Sequence, residues 1–298
     1  MKRIVFAGLG SMGMPMAENL RHHGIEVFGF DVDAARADAF NREAVHQDSL
    51  EDALANADGL VIMVVNADQV RDLLVTRQWL DHLKPGACIL QMSTVAPADS
   101  ADISRTVAAR RADLHYVDAP VSGGVAGAQA GSLTIMTAAS DEALEACQPA
   151  FSAMGKAIFR AGGEAGQGST MKAVNQLLCG VHIAAAAEAF ALAEKNGLDL
   201  AVMLEMLSGS SASSWMIKDR GPRMIAAPGD LTSAVDIFCK DLGIVCDSAK
   251  QSRAYAPLAQ AAYQLFVASS ERGEGRLDDS QVIRTYRLLN GGLPEGEQ

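Results

Sequence analysis

Arg3-Ile-Val-Phe-Ala-Gly-Leu-Gly-Ser-Met-Gly-Met-Pro-Met-Ala17, answered by Glu26-Val-Phe-Gly-Phe-Asp31, decides the fold of this chain. Arg3 to Ala7 is a short apolar strand signal. Gly8-Leu9-Gly10-Ser11-Met12-Gly13 is a G-x-G-x-x-G turn, and a helix follows with Pro15 in its first turn and Gly24 past its end. The three glycines differ in purpose. Gly8 makes the turn, Gly10 lets backbone approach a pyrophosphate, and Gly13 lets helix pack on strand. The pyrophosphate then rests on the helix N-terminus, where free N–H groups and the dipole favour negative charge. The glycine pattern alone is weak. With strand, turn, helix, strand and acid in succession it is specific for dinucleotide binding.

Asp31 ends the second strand about twenty residues after the glycines, where an acid accepts hydrogen bonds from an adenosine ribose and repels a 2′-phosphate. Val32 and Asp33 follow it, and the first arginine, Arg36, already lies in the next helix, so NAD is expected over NADP. The competing reading makes Asp31 a cap for that helix. The α/β alternation continues through the buried-strand runs Asp58 to Val65 and Cys88 to Thr94, with helices from Ala67 to Val75 and Ala98 to Arg111. Val65, Asn66 and Thr94 fall at the carboxyl ends of these strands, the ligand-facing rim of an open sheet. They are candidate cofactor contacts; as polar turn residues, Asn66 and Thr94 equally suit local capping.

A strand from Leu114 runs into Asp118-Ala-Pro-Val-Ser-Gly-Gly124, where Ser122, Gly123 and Gly124 read either as an anion-binding nest for a carboxylate or as a flexible turn. Strands at Ser132–Thr137 and Lys156–Arg160 flank an acidic helix from Asp141 to Gly155, and Gly162-Gly163 reads as a linker. Beyond it, Gly166 to Gly197 reads as one long helix with Ser169 as its cap and a left-handed glycine at its end. From Leu177 to Ala193 the helix is apolar almost all round, as for a helix buried on every side; His182 and Glu188 argue against a membrane span. Its first turns carry Lys172, Asn175, Gln176 and Cys179 on one face, a setting for something anionic. Only helical periodicity follows: Leu200–Ser208, Ser214–Ile225, Ser233–Ser252, Pro257–Glu271 and Asp279–Leu289, with a Gly/Glu-rich tail after Asn290 expected to fray. The domains expected are 1–163, α/β, and 164–298, all-α.

At 298 residues the chain is long enough for two sizeable cores, and its net charge of −11 argues against nucleic acid as a partner. The five cysteines show no metal-ligand spacing and read as buried free thiols, so no metal is expected. Reduced thiols, and a strand beginning directly after Lys2, point to a cytoplasmic setting without a signal-peptide core.

Four segments in order, Gly8 to Ala17, Asp118 to Gly124, Gly166-Gln-Gly-Ser-Thr-Met-Lys172 and Lys240-Asp-Leu-Gly243, resemble the motifs of the β-hydroxyacid dehydrogenase family over nearly the whole chain. The resemblance implies an N-terminal Rossmann domain and an all-α C-terminal domain joined by a long interdomain helix, assembled as a homodimer or homotetramer. It also implies NAD-dependent oxidation of a small anionic hydroxyacid. Lys172 would be the catalytic acid/base, Lys240 a second lysine on the cofactor side, and Ser122, Gly123 and Gly124 the carboxylate holders. Many relatives carry Asn four residues after the catalytic lysine; here Gln176 stands there and Asn175 precedes it, leaving open which amide meets the substrate. The segments Gln176–Ala189, Ser214-Trp215-Met216 and Ser233–Phe238 point within the family to members acting on sugar acids, with Trp215 as a further substrate contact; the alternative makes Trp215 core. Relatives that only bind nucleotide lack the lysine, so its presence favours an enzyme.

Overall fold

The computed structural model describes residues 1–42, 49–226 and 231–292. Its internal contacts divide the chain into two compact units, Met1–Lys172 and Ala173–Gln298.

The first unit is built on an eight-stranded sheet: β1 (Arg3–Ala7), β2 (Glu26–Phe30), β3 (Gly59–Ile62), β4 (Cys88–Gln91), β5 (His115–Asp118), β6 (Val121–Ser122), β7 (Leu133–Ala138) and β8 (Gly155–Gly162). The order β2-β1-β3-β4-β5 is parallel throughout; β7 then runs antiparallel to both β5 and β6 and parallel to β8. This is the doubly wound arrangement the sequence predicts. β3 and β4 are buried at every position, as their unbroken apolar runs require, whereas the outer strand β2 alternates. Neighbouring side chains leave opposite faces, so Val5, Leu60, Ile62 and Ile89 join one core with Trp79 and Ile103, while Phe6, Val61 and Leu90 join another with Leu20 and Phe151.

The helices are α1 (Gly13–His22), α2 (Ala34–Asn41), α3 (Leu50–Asn56), α4 (Ala67–Arg71), α5 (Trp79–His82), α6 (Pro97–Arg110), α7 (Gly124–Gln129) and α8 (Asp141–Met154). Two departures from expectation occur here. The helix predicted over Ala67–Val75 changes to a π-helical turn at Asp72–Thr76, and the stretch read as a turn after Asp118 holds the short β6 and α7.

α9 (Gln167–Lys195) begins in the first unit and continues into the second. Around it the second unit has α10 (Leu200–Gly209), α11 (Trp215–Ile225), α12 (Val235–Ser252), α13 (Pro257–Ser269) and α14 (Ile283–Leu289), with a π-turn and a 3₁₀ turn before α14. Its core joins Ile183, Ala187 and Phe190 to Phe238, Leu242, Phe266 and Ile283, and the Phe238 and Phe266 rings stack 5.1 Å apart. Burial of α9 on every side is not what the structure shows. Val174, Leu178 and Leu192 are 59%, 50% and 64% exposed, on a stripe of three- and four-residue steps that no element of the described chain covers. α9 is long and apolar enough to cross a membrane by length and composition, and half of its most apolar window is buried in protein. The end of the tail expected to fray, residues 293–298, lies outside the described residues.

Candidate active site

The turn from β1 to α1 lies at the carboxyl end of the sheet. Gly8 N–H donates to the Phe30 carbonyl at 2.8 Å, and Leu9 N–H donates to Asp31 Oδ2 at 2.7 Å. A Cβ on Gly8 would stand 2.2 Å from the Met63 carbonyl oxygen, and one on Gly13 1.8 Å from that of Gly8; on Gly10 it would meet nothing within 4 Å. The protein's own packing therefore demands the outer two glycines, whereas Gly10 faces open space, the cradle a pyrophosphate needs. Ser11 is exposed and Met12 half-buried beside it. The residues fit a dinucleotide.

Asp31 takes Asp33 N–H on Oδ1 at 2.9 Å, and the Arg36 guanidinium lies 3.5 Å from Oδ2. Asp33, not Asp31, caps α2 by accepting the Ala35 and Arg36 N–H groups, which leaves Asp31 as the acid beside the glycine turn. Val65 is exposed at the rim, its N–H donating to Gln69 Oε1 at 2.8 Å; Asn66 caps α4 through Gln69 N–H at 3.0 Å, the capping alternative realised. Thr94 is half-buried and follows Ser93, whose Oγ accepts Val64 N–H at 2.9 Å while its own N–H donates to Gln91 Oε1 at 2.7 Å. Gln91 and Ser93 brace this rim from full burial. Sequence reasoning missed both, since polar residues in an apolar strand run carry no periodic signal.

Ser122 lies in β6 opposite Thr134, so its backbone is fixed by sheet pairing rather than by a free turn. Gly123 and Gly124 have φ of +139° and +63°, opening α7, and a Cβ on Gly124 would meet nothing within 4 Å. Both glycines thus carry positive φ at the opening of α7, directly after the sheet-paired Ser122.

Asp118 has a role the sequence did not reveal. Its Oδ2 accepts the N–H of Gly166 at 2.8 Å and of Ser169 at 2.9 Å, and its Oδ1 accepts Ser169 Oγ at 2.7 Å. Ser169 is therefore inside α9, and a carboxylate from the end of β5 does the capping expected of it. Burial pushes the Asp118 carboxyl above its ordinary value, against the pull of these hydrogen bonds. Gly168 permits the approach: a Cβ there would stand 2.6 Å from the Asp118 carbonyl oxygen and 2.7 Å from that of Met136. Lys172, buried, follows one turn along α9 and closes the first unit.

In the second unit the same helix face continues. Asn175 Nδ2 donates to Gln176 Oε1 at 3.0 Å and lies 3.4 Å from Cys179 Sγ. Gln176 Nε2 donates to Asp241 Oδ2 at 2.5 Å, and Lys240 Nζ sits 3.0 Å from Asp241 Oδ1 as an ion pair. The neighbour of the expected lysine thus proves a buried hub. Ser214 caps α11 through Ile217 N–H at 3.1 Å, and Trp215, 58% exposed, is not core.

A Rossmann sheet with this glycine cradle and a carboxylate at its second strand defines a dinucleotide-binding protein. Residues 3–163 match the NAD binding domain of 6-phosphogluconate dehydrogenase, and residues 166–286 match the family described as NAD-binding of NADP-dependent 3-hydroxyisobutyrate dehydrogenase. An L-threonate dehydrogenase of Escherichia coli K12 is 41% identical over 94% of this chain and 93% of its own. A 2-(hydroxymethyl)glutarate dehydrogenase of Eubacterium barkeri is 35% identical over 99% and 98%. The crystal structure of a 3-hydroxyisobutyrate dehydrogenase from Salmonella typhimurium superposes with a TM-score of 0.87 at 37% identity, covering 96% of this chain and 100% of that one. The chain belongs to the β-hydroxyacid dehydrogenase family and is an NAD-dependent hydroxyacid dehydrogenase.

Proposed function

We propose that the enzyme oxidises L-threonate at C2, giving the 2-oxo acid 2-dehydro-L-erythronate. The observation that carries this reading is the polar face of α9, where Lys172, Asn175, Gln176 and Cys179 follow one another on an otherwise apolar helix. A four-carbon sugar acid has one carboxylate and three hydroxyls to satisfy. Unpaired polar groups left in a dry site cost about 1–3 kcal/mol each, so a methyl-bearing acid suits such a face poorly. The likeness to L-threonate dehydrogenases supports the same choice.

In this reading Gly8 to Gly13 hold the pyrophosphate and Asp31 the adenosine ribose, with Val65, Asn66, Thr94 and Lys240 as further cofactor contacts. Bound NAD accepts the hydride. Ser122, Gly123 and Gly124 hold the substrate carboxylate; Lys172 takes the proton of the C2 hydroxyl; Asn175, Gln176 and Trp215 orient the remaining hydroxyls. Residues 1–163 serve as the cofactor domain and 164–298 as the substrate and oligomerisation domain. The exposed stripe of Val174, Leu178 and Leu192 supports a homodimer or homotetramer, and the free cysteines support a cytoplasmic setting.

The test is NADH formation at 340 nm from L-threonate, 3-hydroxyisobutyrate and D-glycerate, with tartronate semialdehyde assayed in reduction. L-threonate is expected to give the highest kcat/KM. A higher value for any competitor removes the substrate assignment and leaves the hydride-transfer class standing.

A further inference from the structure

We propose that Cys88 and Cys147 form an oxidation-sensitive pair: hydrogen peroxide reaching Cys88 from the adjoining surface pocket converts the two thiols into a disulfide that ties β4 to α8. Cys88 is the first residue of β4, and its N–H donates to the Asp58 carbonyl at 3.0 Å. α8 packs against that strand. Ala143, Cys147 and Ala150 share one face of the helix by their spacing and are buried in the same core cluster as Cys88. Side chains this small let helix and strand approach closely, and Cys147 S–H donates to the Cys88 sulfur. Neither cysteine has to be carried to the other by refolding.

A pocket of about 360 Å³ opens beside Cys88, lined also by Ala146, Lys2, Asp58 and Lys84. Lys84 pairs with Asp58 there, so the pocket is polar and roomy enough for water and for a peroxide of similar size. Cys88 is 2% exposed and Cys147 fully buried, which excludes bulky oxidants. The hydrogen bond from Cys147 draws the Cys88 thiol below its ordinary value, against the effect of burial, and keeps the proton on Cys147. Burial instead pushes the Cys239 and Cys246 thiols up. The thiolate is the nucleophile, so Cys88 reacts first. Its sulfur bonds to one peroxide oxygen, the O–O bond breaks, and the departing hydroxide takes up the proton Cys88 released, leaving a sulfenic acid. The Cys147 sulfur then attacks the Cys88 sulfur; the S–O bond breaks, and that hydroxide takes the Cys147 proton. Two thiols are oxidised by two electrons to one disulfide, and one peroxide is reduced to two waters. In a reducing compartment such a bond is a transient mark that a dithiol removes.

The test treats the folded full-length protein with hydrogen peroxide, quenches with catalase, unfolds it in N-ethylmaleimide and digests it without reduction for mass spectrometry. The peptide bearing Cys88 is expected joined to the peptide bearing Cys147, two hydrogens lighter than their sum, and separated again by dithiothreitol. In Cys147→Ala the sulfenic acid has no partner thiol, and dimedone present during unfolding is expected to label Cys88. Ala146 lies at an exposed helix position on the pocket wall, so Ala146→Phe is expected to keep the fold and slow the linkage about tenfold by covering the entry. Failure of the linked pair to form in folded wild type, or its formation only when peroxide is added to the protein in urea, overturns the proposal. An unlabelled Cys88 in folded Cys147→Ala, or an unchanged rate in Ala146→Phe, does the same. If Cys147→Ala does not fold, the wild-type linkage and the Ala146→Phe rate decide the matter.

Discussion

Asp118 holds Ser169 by both N–H and hydroxyl, at 2.9 Å and 2.7 Å, at a place where neither residue sees water. Through this contact the end of a central strand fixes the start of the helix that carries Lys172. Asp118→Ala would leave two buried N–H groups and a hydroxyl without their acceptor. It is expected to cost about 3 kcal/mol or more, with Asp118→Asn milder because an amide oxygen still accepts. Denaturant melts give the ranking; equal losses would contradict the capping role.

Gly10 and Gly13 should separate binding from folding. Gly10→Ala has room for its methyl and is expected to keep the melting temperature within a few degrees while weakening NAD binding at least about tenfold. Gly13→Ala drives a methyl into the Gly8 carbonyl and is expected to destabilise the whole first unit. Calorimetry for NAD together with thermal melts distinguishes the two.

Lys172→Ala is expected to leave NAD affinity nearly intact and to lower kcat by ~10²–10⁴, the usual worth of a positioned acid/base. A kcat within a few-fold of wild type would remove the lysine from the chemistry. Because only the neutral amine accepts a proton, oxidation should also speed up toward alkaline pH. A flat profile between about pH 6 and 10, measured where chemistry limits the rate, would speak against it.

Asp31 accepts Leu9 N–H at 2.7 Å beside the glycine turn, and the proposed ribose contact would set its carboxylate against a 2′-phosphate. NAD should exceed NADP in kcat/KM by about tenfold or more, since 1.4 kcal/mol of repulsion already gives that factor. Asp31→Ser combined with Val32→Arg should shift the preference toward NADP, and no shift would show that Asp31 does not set it.

Asp58 gives the acid limb of stability a defined component. Burial alone would raise its carboxyl, but Lys84 and the N–H groups of Lys2 and Arg3 more than reverse that and hold it at about 2, against 3.8 ordinarily. A depressed carboxylate contributes stability that is present above pH about 4 and is lost as pH falls through about 2. Asp58→Asn should therefore cost about 1–2 kcal/mol at neutral pH and flatten the stability curve over that window. A variant curve parallel to wild type would exclude the linkage.

The sequence by itself determined the Rossmann half, the all-α half and the long helix, because strand runs, the glycine turn and helical spacing are local patterns. It also placed Lys172, Asn175, Gln176 and Cys179 on one face, since helix geometry alone fixes their order. Only the tertiary structure decided what those side chains bond to. Asp118 reads as the end of a motif until β5 delivers it to α9, 48 residues from Gly166 along the chain. Asp241 reads as the neighbour of a lysine until α12 crosses α9 and sets it on Gln176, 65 residues away. The exposed stripe on α9 was equally hidden, because an apolar residue in a sequence does not say whether another element covers it. Local propensity sets the elements; pairing between distant polar groups depends on where the packed elements bring them, and no spacing in the chain records that.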